Sequence, residues 1–171
     1  MDTVELNNYL NEFQNETDRA AAVLAGCYLD HYLESLLKSF FIDDQKFIDG
    51  QIIGSSTNSV LDSFSKRIKL AYALGLLRKS EFDDLNTIKK IRNEFAHKLH
   101  GLTFETDKIR DLCSNLIIPN QTVPKMKNLV KVDDTPRFRY TIAVGMIGNF
   151  ISYRAKDEAA RRTLPQELTW S

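Results

Sequence analysis

Arg92, Asn93, Glu94 and His97 fall within six residues of one another, in the stretch KKIRNEFAHKLHG at 89–101. A guanidinium can hold a phosphate, and an imidazole titrates near neutrality and can move a proton. A carboxamide can orient either group. Arg92, Asn93 and His97 together could therefore form a catalytic site. The same residues could instead form a docking surface, or a polar knot that holds helices in register. Buried polar groups need hydrogen-bond partners, so the packing reading ranks first. In that reading Arg92, Asn93 and His97 bond to neighbouring helices, with Asp30 or Asp84 as acceptors.

Helical geometry restrains the catalytic reading. A helix advances about 100° per residue. Asn93 and His97 then share a face, four residues apart. Arg92 and His97 stand roughly 140° apart around the same helix by that rule. They can meet only through long side chains, local distortion, or two copies of the helix paired across a dimer.

The rest of the chain offers little chemistry. Asp30 and His31 are adjacent, so on a helix they point apart and have no third partner in view. Three histidines without an HExxH or a Cys/His cluster argue against zinc. GxSxG, GxxxxGK[ST] and GxGxxG are absent, so neither a nucleophile elbow nor a nucleotide loop is expected. Cys27 and Cys113 are isolated and read as small core residues in a reducing compartment. No cofactor is implied.

The elements that must carry these residues are helices. Seven glycines and four prolines in 171 residues are few for a strand-and-turn protein. Apolar residues recur at three- and four-residue gaps in four long stretches. In "NETDRAAAVLAGCYLDHYLESLLKSFF" they include Val23, Leu24, Cys27, Leu33, Leu36, Leu37 and Phe40. Thr17 or Asp18 can cap its start, and Ala20–Ala22, Ala25 and Gly26 would admit another backbone closely. "SVLDSFSKRIKLAYALGLL" carries Val60, Leu61, Phe64, Ile68, Ala71, Tyr72, Gly75 and Leu76 in helical order. Ser80 followed by Asp83 suggests the next helix start, with Phe82, Leu85, Ile88, Ile91, Phe95 and Leu99 as its stripe and Gly101 as its stop. A shorter helix is expected near 106–117, burying Ile109, Leu112 and Leu116. A last one runs from a Thr135-Pro136 start through "RFRYTIAVGMIGNFISYRAKDEAARR".

Between them, 43–58 and the proline-bearing 117–136 read as loops, with "KNLVKV" as a short extended segment. Residues 2–13 form a short amphipathic helix in this reading, and 163–171 a tail. The sum is an all-α, single-domain helical bundle of about five main helices over 1–171. No apolar run approaches the roughly 18 residues of a membrane span, and the acidic start has no signal-peptide pattern. A cytoplasmic location is expected.

Three blocks carry a family resemblance. "DRAAAVLAGCYLDHYLESLLKSFF", "SFSKRIKLAYALGLL" and "EFDDLNTIKKIRNEFAH", in that order and spacing, resemble the mannitol operon repressor (MtlR) family over about 17–116. The resemblance implies a helical bacterial regulator that represses a sugar-uptake operon. A second, shorter likeness is that of Arg92-Asn93-x-x-x-His97 to the R-N-x3-H signature of HEPN domains, which include dimeric endoribonucleases. It would make Arg92 the stabiliser of phosphate charge, His97 the acid or base, and Asn93 the orienting group. RNA would then be a partner.

DNA reading finds less support. Net charge is zero, from 23 basic and 23 acidic residues. Residues 1–85 carry 8 basic and 14 acidic side chains and 86–171 carry 15 and 9, a net of −6 and +6. A basic C-terminal half could face an operator, but the two halves can equally attract each other, within one molecule or across a homodimer. The nearest imitation of a helix-turn-helix, "LGLLRKSEFDDLNTIKK", opens its second helix with Glu81, Asp83 and Asp84, which would face phosphates. The expected activity is therefore regulation through a partner protein, with Asp30, Asp84, Arg92, Asn93, Glu94 and His97 as a polar cluster or docking site. A HEPN-type nuclease and a DNA-binding repressor follow as alternatives.

Overall fold

The computed structural model describes residue 13 and residues 15–54, 59–98 and 100–156. These form seven α-helices and one π-helical turn, without a strand among the described residues. The helices are α1 (Asp18–Phe40), α2 (Gln45–Phe47), α3 (Phe64–Ala73), α4 (Lys79–His97), α5 (Asp107–Ser114), α6 (Ile117–Lys127) and α7 (Pro136–Lys156). The π-helical turn, Ile48–Ile52, follows α2 directly. The all-α expectation holds, and the count of about five becomes seven. The two additional helices come from segments read as loops. The helix expected over 2–13, apart from buried Phe13, and the tail at 163–171 lie outside the described residues.

Local caps explain the readable boundaries. Thr17 Oγ1 accepts from Ala20 N–H at 3.2 Å and starts α1. Thr135 Oγ1 accepts from Phe138 N–H at 3.1 Å and starts α7, with Pro136 at its first position. Helix α4 begins one residue before Ser80. Its first turn is closed by Glu81, whose carboxylate accepts from Arg78 N–H at 2.7 Å. It ends at His97, and Gly101 serves a later turn at φ +74°.

Helix α1 is the centre. Ala21, Ala22, Ala25, Gly26, Leu29, Leu33, Leu36 and Leu37 are all buried along it. α7 runs beside it in the same direction, with Tyr140 donating to Ala22 O at 3.1 Å and Tyr28 lying over Gly148. α4 runs the opposite way, so that Arg19 reaches Lys98 O and Gly26 meets Arg92. Asp18 pins the near end, accepting from Arg137 at 2.7 Å and from Phe104 N–H at 2.9 Å. Leu85, Ile88, Ile91 and Phe95 of α4 complete the core. The expected stripes were too wide in places. Leu24 and Cys27 are exposed because three neighbouring helices already cover the other sides of α1, Val60 because α3 starts only at Phe64, and Tyr72 stays partly exposed while stacking on Phe82. No helix among the described residues is long and apolar enough to cross a membrane.

The largest correction is α6. Its segment contains Pro119 and Pro124 and was expected to be loop, with 127–132 extended. Pro119 sits in the first turn, where no N–H is needed. The free amides of Ile117 and Ile118 are held by Asp84, 33 and 34 residues upstream, at 2.7 and 2.8 Å. A carboxylate at a helix N-terminus satisfies orphan donors and favours the helix dipole.

Glu81, one turn earlier, ties the same end of α4 to α7. It is 1% exposed and receives both Arg154 nitrogens of α7, at 2.8 and 2.7 Å. Arg154 also donates to Leu76 O at 3.2 Å. Removing Arg154 strands a buried carboxylate, which costs about 3–5 kcal/mol in comparable pairs. Arg154 retains some solvent exposure, so Arg154→Ala should lose about 3 kcal/mol, the lower end of that range. Urea denaturation measures this. A midpoint equal to wild type would show that the pair contributes no net stability.

Candidate functional site

The polar stretch occupies the last turns of α4, between α1 and α5. Helical phase alone puts Arg92 against α1. Its stem lies over Gly26, where an added Cβ would come within 2.9 Å of Arg92 Cγ. The small residues of α1 thus admit an arginine stem at this point. The Arg92 guanidinium donates to Asn93 Oδ1 at 3.2 Å. Among the described residues no carboxylate pairs with it.

The other candidates point elsewhere. Asp30 accepts from Arg67 of α3 at 2.7 Å, and Arg67 also donates to Ile53 O at 3.1 Å. Asp84 holds the start of α6. Glu94 pairs with Lys108 of α5 at 2.6 Å, and that hydrogen bond holds its carboxyl below the ordinary range. His97 is exposed at the C-terminal end of α4. Asp30 and Asp84 are therefore engaged by Arg67 and by α6, and neither accepts from Arg92, Asn93 or His97. The six residues do not converge on one point.

The helix-turn-helix comparison also changes. Glu81 and Asp84 are buried, and Asp83 pairs with Lys79 at 2.5 Å. Two of the three carboxylates expected to repel DNA thus face the core, and the one that stays at the surface, Asp83, is paired with a lysine.

Buried thiol chemistry is absent as well. Burial pushes Cys113 up to about 12, so it stays a thiol at neutral pH. Cys27, expected in the core, is exposed. Among the described residues no group of His, Cys, Asp and Glu could hold a metal ion.

Two features escaped the sequence reading. One is an apolar hollow of about 320 Å³ at the far end of α1, walled by Phe40, Phe41, Ile42, Phe47, Leu70 and Leu74. The polar composition of 43–58 hid it, since Phe47 and Ile48 reach it only through the π-helical turn. The other is a group of lysines on α3 and α4, Lys69, Lys89 and Lys90. They are 20 residues apart in sequence and meet only because the helices pack.

Comparison with known proteins bears on these features. A family model described as MtlR, mannitol repressor, matches residues 7–147. Among solved structures the chain is similar to a chain of the MtlR–HPr complex from Escherichia coli. Identity is 19%, the TM-score is 0.68, and 86% of this chain and 98% of that one are covered. It is similar also to a possible transcriptional regulator, YggD, from Shigella flexneri 2a str. 2457T. There the identity is 17%, the TM-score 0.68, and the coverage 88% and 99%. At these identities the likeness establishes the fold. No curated protein matches the chain.

Asp84 supplies a pH test of the architecture. Burial raises its carboxyl above the ordinary 3.8, outweighing the two amide donors that favour the anion. The folded protein then holds this proton more tightly than the unfolded chain. The contribution is fully present below the unfolded value and lost as pH rises through the folded one. The stability of wild type relative to Asp84→Asn should therefore improve as pH falls from neutral to about 4. Urea titrations of both proteins at each pH measure it. A relative stability that falls with acid would show that the amide donors outweigh burial.

Proposed function

The chain belongs to the mannitol repressor (MtlR) family, and from that premise we propose that it regulates transcription of a sugar-uptake operon through protein–protein contacts, in the cytoplasm. The observation that carries this reading is the family match over 7–147, which spans every helix from α1 to α6 and half of α7. The fold of a chain in the MtlR–HPr complex supports a protein partner, and HPr is the first partner to test.

Direct operator reading is disfavoured by what a DNA reader needs. It requires a projecting helix with basic and amide side chains at base edges. The outward side of the start of α4 carries the Lys79–Asp83 ion pair, and the chain as a whole has no net positive charge to hold phosphates. Titrating purified protein with the HPr of its own host should give saturable heat and a one-to-one complex, with Kd of about a micromolar or below. No heat and no co-elution would remove HPr as the partner. Saturable, competitor-resistant binding of operator DNA near about 10⁻⁸ M would replace the contact mechanism with direct DNA reading.

Nuclease activity is disfavoured by the same geometry. Arg92 is laid over Gly26 and bonded to Asn93, while His97 is at the exposed end of the helix. Labelled RNA incubated with wild type, Arg92→Ala and His97→Ala should stay intact in all three. Cleavage by wild type that both folded variants lack would establish a HEPN-type ribonuclease.

A further inference from the structure

We propose that the face shared by α3 and α4 around Lys69, Lys89 and Lys90 is a docking surface for a short acidic patch on a partner protein. The inference rests on the reading of this chain as a regulator that works through protein contacts.

The three lysines come from two packed helices, Lys69 from α3 and Lys89 and Lys90 from α4. Lys89 is half-buried between α3 and α4, and its ammonium donates to Ser65 Oγ and Asn86 Oδ1, both at 3.1 Å. Both acceptors are neutral. Lys69 and Lys90 are exposed beside it. Burial first, and then the charges of Lys69 and Lys90, lower the Lys89 pKa below its ordinary 10.5. Among the described residues no carboxylate pairs with any of the three.

That lack is local and specific. On the same two helices Lys66 is neutralised by Asp62 at 2.9 Å and Lys79 by Asp83 at 2.5 Å, each one turn away. The positions one turn from Lys69 and Lys89 hold Ser65, Ala73, Leu85 and Asn93. Glu94 is one turn from Lys90, but its carboxylate is turned to Lys108 on α5. The face is thus three like charges whose repulsion an incoming anion would relieve.

Carboxylates of a protein fit this face better than phosphates of a nucleic acid. Nucleic-acid binders commonly neutralise about 6–10 phosphates along a track, and single-strand binders add open aromatic platforms. Here three lysines cover about two helical turns. The aromatic pair on the same two helices, Tyr72 and Phe82, stacks on itself at 4.3 Å and 24°, with Lys79 over the Phe82 ring at 5.4 Å. The Phe82 ring thus already has Tyr72 and Lys79 against it. A compact cluster of point charges matches two or three carboxylates on a protein surface.

The test uses the full chain, a fluorescein-labelled octaglutamate peptide and a labelled 20-nucleotide oligo-dT strand, read by fluorescence anisotropy in low salt. Wild type should bind the peptide. Lys69→Gln/Lys90→Gln changes only exposed residues and should weaken binding about tenfold. Lys69→Glu/Lys89→Glu/Lys90→Glu should abolish it, with circular dichroism confirming the fold. The control Lys46→Gln/Lys125→Gln removes the same charge from exposed positions elsewhere and should leave the affinity unchanged. An equal loss in the control would reduce the effect to net charge and overturn the proposal. Tighter binding of oligo-dT than of peptide would make it a nucleic-acid face. Self-association that Lys69→Gln/Lys90→Gln abolishes, with no peptide binding, would assign the face to a second copy of the chain. The peptide assay decides this surface and the HPr titration decides the HPr assignment, so either can fail without the other.

Discussion

The burial of α1 on three sides is the constraint from which the rest follows. A helix that meets α3, α4 and α7 together needs small residues where they come closest. Ala21, Ala22, Ala25 and Gly26 supply that surface. Gly26 makes room for the Arg92 stem and Gly148 of α7 for the Tyr28 ring; a Cβ at either would fall within 3 Å of those side chains. Interiors this tightly packed do not absorb even one added carbon without movement. The most chemically suggestive arginine in the sequence is therefore held as a packing element, with Asn93 as its hydrogen-bond partner.

The buried acids of α4 extend the same logic. Glu81 and Asp84 are three residues apart and both face inward. Glu81 joins α4 to the end of α7 through Arg154, and Asp84 joins it to the start of α6 through two amides. A buried carboxylate is tolerated only when its oxygens are satisfied, and both are. Each fixes the position of a helix that has no close sequence link to α4. They also remove acidity from the surface where a DNA-reading helix would have presented its side chains.

Function then rests on surfaces. The polar groups that could have formed an active centre are dispersed among Arg67, Lys108, α6 and the exposed helix end. The outward features of the described residues include an apolar hollow at the end of α1 and a group of lysines across α3 and α4. Such features suit contacts with other proteins, which agrees with membership in a repressor family.

The sequence by itself determined the helical class, four of the main helices almost to their ends, and the core face of α4. Those depend on a 3.6-residue period and on caps such as Thr17 and Thr135, which act within three or four residues. It also carried the family, through the order of three blocks. Tertiary structure decided the rest. α6 is helical in a proline-bearing segment because its cap, Asp84, lies 33 residues upstream. Leu24 and Cys27 are outside because the neighbours of α1 were already placed. Asp30 belongs to Arg67, and Lys69 meets Lys89, because α3 packs between α1 and α4. Such pairings join groups that no local period connects, so only the packed helices could assign them.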